Sequence, residues 1–198
     1  CLDLNFHFSR GIDVGSRSHN EAGNGTPLSR SEGKTNFSHF NFNTNYKFSP
    51  VDNYEVDLNA GGQYSLDDLL NSEQTSITGS NKLSGFTSGS ISGDEAWYIR
   101  GQLNRNYNVS NQIKLTPYVY GAAGVAYTLS PTTVEERATA AKSIGLGMKF
   151  QGLDKLFFQK TISGKVEYSK NWATGKLEDL SDVRLRKQHL LVSLAMNF

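Results

Sequence analysis

The chain has 198 residues, with 20 Lys+Arg against 19 Asp+Glu for a net charge of +1, and 37% of its residues are hydrophobic. That balance gives no electrostatic case for nucleic acid, and no phosphate loop, zinc-type ligand spacing or DNA-binding signature accompanies it. No apolar run approaches the ~18 residues of a membrane-spanning helix, and the single cysteine, Cys1, excludes an intrachain disulfide.

A mean hydropathy of -0.47 would suit a soluble protein, but alternation of apolar and polar residues halves the apparent hydrophobicity of a strand. Such alternation runs the length of the chain. Leu2, Leu4, Phe6 and Phe8 alternate with Asp3, Asn5, His7 and Ser9. Phe40, Phe42, Thr44, Tyr46 and Phe48 follow, and a tight turn is expected over Phe48 to Asn53. Tyr54, Val56, Leu58, Ala60, Gly62, Tyr64 and Leu66 share one face, opposite Glu55, Asp57, Asn59, Gln63 and Ser65.

Trp97, Ile99, Leu103 and Tyr107 mark a further strand, and a tight turn is expected around Asn108 to Asn111. Leu115, Val119, Val125 and Tyr127 come next, then Ile144, Leu146, Met148 and Phe150, then Ile162, Val166, Tyr168 and Trp172. The last run is Leu190, Val192, Leu194, Met196 and the terminal Phe198, whose position fits the closing aromatic insertion signal of bacterial outer-membrane barrels.

These runs are near the ~10 residues that a tilted membrane strand needs, so the expected fold is all-β, an antiparallel outer-membrane β-barrel domain over 1–198. About eight strands can close a small barrel or form half of a larger one. The long connections 11–35, 67–95 and 173–188 read as outer loops. The connection 151–160, with Leu156, Phe157 and Phe158, reads equally as turn, strand extension or plug. Arg105 shares the parity of the lipid side and is expected at a rim, where it can snorkel. His7, His39 and His189 read as polar lumen filling, and His19 falls in a loop.

The chain starts at Cys1 without an initiating methionine or an apolar signal core, although an outer-membrane protein must be exported; the expectation is a piece of a longer protein. No Gly-x-Ser-x-Gly elbow precedes a helix, so no enzyme activity is expected. A wet lumen carrying Asn41, Asn43, Asn59, Gln102 and Asn104 would also suit a passive porin or a small adhesion barrel.

Three stretches, Asn71 to Ser80, Asn81 to Phe86 and Ile91 to Arg100, carry a more specific pattern. Glu73-Gln74, Gly79, Gly85-Phe86, Ser92-Gly93-Asp94 and Trp97-Tyr98-Ile99-Arg100 follow in order and spacing an "EQFSLGG…VRGF…LSGDRGWYLRNEL"-like segment. In this the chain resembles the haemolysin activator/secretion proteins of two-partner secretion, as do Pro117 to Tyr120 with Gly124, Gly145 to Gly147 and Val166 to Tyr168. The resemblance implies the C-terminal half of a sixteen-stranded barrel that follows periplasmic POTRA domains absent from this chain. It implies that 67–95 enters the lumen, with Leu83, Ser84, Gly85 and Phe86 as its motif.

The implied function is secretion of a large, unfolded haemolysin or adhesin partner without cofactor or metal. The implied surroundings are outer-membrane lipid and the barrel assembly machinery, with the C-terminus periplasmic. This chain departs from the family at two points. The family's loop arginine aligns with Ser84, and its lumen-facing strand aspartate aligns with Ala122, which by parity points inward. Losing both partners of a buried pair can be near neutral, whereas losing one costs about 3–5 kcal/mol. The expectation is a loop held more weakly, by Phe86 packing and glycines, in a divergent or decayed transporter. The alternative gives the arginine's role to Lys82, with Glu55, Asp57 or Glu167 as its carboxylate partner.

Overall fold

A computed structural model describes residues 1–12, 33–110, 113–131, 136–154, 160–174 and 187–197. The chain folds into strands β1 (Leu2–Arg10), β2 (Ser38–Phe48), β3 (Tyr54–Ser65), β4 (Thr75–Ser76), β5 (Ser92–Gly93), β6 (Glu95–Arg105), β7 (Tyr107–Ser110), β8 (Ile113–Tyr127), β9 (Ala138–Asp154), β10 (Lys160–Ala173) and β11 (Gln188–Asn197). One antiparallel sheet takes the order β1-β2-β3-β6-β8-β9-β10-β11, with β7 continuing β6 alongside β8. It is an up-and-down meander and it is open, with β1 and β11 at its edges. The 15 residues of β8 and 17 of β9 exceed the ~9–11 that cross the hydrocarbon layer. No helix among the described residues is long and apolar enough to cross a membrane.

The short connections lie at one end of the sheet. Asn53 adopts φ 66 in the β2–β3 turn, a left-handed conformation that asparagine tolerates better than most residues. Its carbonyl accepts from Asn106 N–H at 2.7 Å, where β6 passes into β7. The reversal expected around Asn108 to Asn111 falls later, since the chain is strand as far as Ser110, which pairs antiparallel with Ile113. Alternation explains this, because Tyr107 and Val109 continue the exposed face of Leu103. Strand β9 extends through Asp154, so the connection expected at 151 begins as strand. Leu156, Phe157, Phe158, His19 and Phe198 lie outside the described residues.

The pleat separates two faces. On the outer one, large apolar side chains stay exposed across the sheet, among them Phe6 at 79%, Ile99 at 58%, Leu146 at 60% and Val192 at 67%. Monomers in water rarely leave apolar patches beyond a few hundred Å² uncovered, so a band this broad calls for a cover. Aromatic contacts run along it, with the cross-strand partners Phe8 and Phe40 at a ring-centroid distance of 4.7 Å and Phe42 meeting Trp97 over Gly62 of β3 at 5.5 Å. Arg105 ends β6 between the rings of Tyr54 and Tyr107, at 5.2 and 4.8 Å, which shelters a cation at the short-turn end of the apolar face.

The segment between β3 and β6 folds over the inner face. Its Ile77, Leu83, Phe86 and Ile91 are buried in one cluster with Ala96, Tyr118, Tyr120, Ala122, Ala126 and Ala141 of the sheet. Small residues on β6, β8 and β9 make the hollow, and the loop supplies the bulk. Burying each large apolar side chain contributes about 1.5–3 kcal/mol toward holding the loop down.

Candidate functional site

Strand parity turns Tyr98, Arg100, Gln102 and Asn104 of β6 to the inner face, as it does Glu167, Ser169 and Asn171 of β10. The loop residue Ser84, 1% exposed, lies between the two rows. Arg100 Nη1 donates to Ser84 Oγ at 2.6 Å and to Lys82 O at 3.2 Å. The Ser84 hydroxyl in turn donates to Glu167 Oε1. Glu167 Oε2 accepts from Tyr118 Oη at 2.5 Å and Lys165 Nζ at 2.9 Å, and from Arg100 Nη2 at 3.4 Å. The guanidinium also donates to Gln102 Oε1 at 2.9 Å and lies 3.7 Å from the centroid of the Tyr120 ring.

Buried charges are tolerable only when paired and hydrogen-bonded, and here both carry several partners. Positions 84 and 122 hold neither arginine nor aspartate, yet an arginine and a carboxylate meet at the loop. Both sit on the strands, and the loop contributes a hydroxyl. Arg100 is the direct cross-strand partner of Ala122, whose small side chain leaves room beside it. The Lys82 ammonium does not take the arginine's place. It donates to Ser76 O at 2.6 Å and lies 5.0 Å over the Tyr98 ring, while Glu167 is held by Lys165 and Arg100. Burial pushes the Lys82 ammonium below its ordinary pKa.

Gly85 brings the loop backbone onto β10. Asn171 Nδ2 donates to Gly85 O at 2.5 Å, and a Cβ on Gly85 would overlap the Asn171 amide and come within 2.6 Å of Ser169 Oγ. Leu83 is fully buried and its N–H donates to Ile77 O at 3.2 Å. Gly79 takes φ 147 just before this turn.

A second group fastens the base of the loop. Asp94, 0% exposed, accepts from Leu69 N–H at 3.0 Å and Gln74 Nε2 at 3.2 Å through Oδ1, and from Leu129 N–H at 2.8 Å through Oδ2. Gln63 Nε2 donates to the carbonyls of Glu73 and Asp94, both at 3.0 Å. Glu73 Oε2 lies 3.7 Å from His39 Nε2. Ser92 and Gly93 pair with Ser76 and Thr75. One carboxylate thus ties the entry, the exit and the neighbouring β8 connection together.

The structure therefore brings Glu73, Gln74, Ser92, Gly93 and Asp94 together at the loop base, and Leu83, Ser84, Gly85, Phe86 and Arg100 together with Ala122 at its seat. Tyr98 packs against the buried cluster of the seat and donates to Asn43 Oδ1 at 3.0 Å. Trp97 does not, since it packs on Phe42 of the outer face. Sequence reading did not bring Tyr118, Lys165, Gln63 or Asn171 to the site. Parity gave their inward direction, but only the curvature of the sheet shows that β6 and β10 come within reach of one loop residue. From Arg100 a polar row continues through Gln102, Asn104 and Asp57 to Lys47, with steps of 2.9, 2.6, 2.9 and 3.8 Å.

A family model described as haemolysin secretion/activation protein ShlB/FhaC/HecB matches residues 1–149. No curated protein and no solved structure matches the chain significantly.

Proposed function

The chain belongs to the haemolysin secretion/activation protein ShlB/FhaC/HecB family, and from that premise we propose that it is part of an outer-membrane transporter that secretes a large haemolysin- or adhesin-type partner by two-partner secretion. The apolar band on one face of the sheet supports a place in the bilayer, with the C-terminus and the short turns on the periplasmic side. The polar inner face lines the lumen, and the connection 67–95 closes it.

The observation that carries the reading is the bridge of Ser84 between Arg100 and Glu167. A loop that plugs a conduit must leave it, and leaving with a hydroxyl removes no charge from the wall. Arg100 and Glu167 remain 3.4 Å apart, and Lys165 stays on the carboxylate. The loop is thus held by apolar packing and by hydrogen bonds from its own uncharged groups to charges on the wall, each worth about 1.5–3 kcal/mol, and the buried charges keep each other as partners when it moves. An unfolded partner then passes along a wall rich in asparagine, glutamine and hydroxyl side chains that hydrogen-bond its backbone.

Expression of the complete protein with the large secreted protein encoded beside it tests this. Accumulation of that protein in the medium, lost when the transporter is deleted, is the expected result. Solute flux through the barrel with no exported partner would replace this reading with a passive pore.

A further inference from the structure

Between the loop seat and the short turns, the inner face opens into a cleft of about 400 Å³ whose walls include Lys114, Lys149, Lys165, Glu55, Asn104 and Thr116. Three lysines and one carboxylate, Glu55, line it, and Glu167 adjoins it on Lys165. Lys149 and Lys165 are direct cross-strand partners, an arrangement in which like charges destabilise a sheet. Lys165 is answered by Glu167 at 2.9 Å. Among the described residues, Lys149 has no carboxylate at salt-bridge distance and lies 5.2 Å over the Tyr118 ring. A wall required only to be wet would be served at 149 by serine or asparagine, as it is at Ser143 and Ser163 nearby on β9 and β10.

We propose that this cleft binds an acidic segment of polypeptide, carboxylates against Lys149 and Lys114, as the exported chain enters from the short-turn side; this rests on the transport reading above. The site adjoins the loop seat through a shared residue. Tyr118 and Lys165 hold Glu167 from the cleft side, while Ser84 and Arg100 hold it from the loop side. An incoming carboxylate competes with Glu167 for Lys165. Occupation of the cleft is therefore felt where the loop is fastened.

The test is anisotropy of rhodamine-labelled hexaglutamate with the complete protein in detergent micelles, a readout that needs no export, so that this proposal and the transport reading fail separately. Hexaglutamate is expected to bind and to weaken as salt is raised, with about a tenfold loss in Lys149→Gln. Lys149→Arg retains binding, and Lys142→Gln, on the outer face, leaves it unchanged. Equal binding by wild type and Lys149→Gln overturns the proposal. So does displacement of the peptide by inorganic phosphate as effectively as by unlabelled hexaglutamate.

Discussion

Arg100 and Glu167 belong to strands with two others between them in the sheet, yet Nη2 and Oε2 lie 3.4 Å apart. The sheet must coil tightly to allow it, and the long arginine side chain spans the remainder across the Tyr120 ring. The two ends of the pair are not equivalent. Without Arg100, Glu167 retains Lys165; without Glu167, two cations face each other in a buried site. Glu167→Ala is therefore expected to cost about 3–5 kcal/mol and Arg100→Ala clearly less. Urea unfolding of the complete purified protein, followed by heat-modifiable migration, measures both; equal losses would contradict the arrangement.

Gly85 is required by close approach and not by its φ. Gly85→Ala pushes its Cβ into Asn171 and Ser169, and the loop is expected to become cleavable by protease in isolated outer membranes. Asn171→Ala removes the obstructing amide. The double variant should regain part of the protection, because the overlap with the amide is relieved while Ser169 Oγ stays close and the hydrogen bond to Gly85 O is lost.

At the base of the loop, Asp94→Ala strips acceptors from Leu69 N–H, Gln74 Nε2 and Leu129 N–H together. Each hydrogen bond to a charged group contributes about 1.5–3 kcal/mol. Limited proteolysis should then cut between Leu69 and Gln74 while the sheet remains resistant. Loss of the whole barrel instead would mean that Asp94 stabilises the strands and not the loop base.

Leu146 lies near the middle of β9 on the outer face. Leu146→Arg should cost about 2–4 kcal/mol and reduce the amount of protein inserted in the outer membrane, as a cation at the bilayer midplane does. Normal insertion and stability would show that this face does not meet lipid.

Much of this architecture was legible in the sequence. Alternation at period two marks every strand of the main sheet, and the parity of Ala122 gives its inward direction. Two things were out of reach for physical reasons. The end of β6 and start of β7 follow one uninterrupted parity from Leu103 to Val109, so the reversal could not be placed from polarity at Asn108. Glu167 was one of three candidate carboxylates for the loop, but its pairing with Arg100 was hidden because the two are 67 residues apart and meet only through sheet curvature, which no local pattern encodes. The inward parity of Arg100, shared with Gln102 and Asn104, was the one available signal that this arginine turns toward the loop.

The most direct measurement is protease protection of the loop in the complete protein when the arginine is moved from wall to loop. Ser84→Arg alone places a second guanidinium against Arg100 and should leave the loop cleavable, with export lost or deregulated. Ser84→Arg with Arg100→Ser restores one arginine opposite Glu167 and should restore both protection and export. If Ser84→Arg alone is as well protected as the wild type, the loop is not held between Arg100 and Glu167, and the account fails.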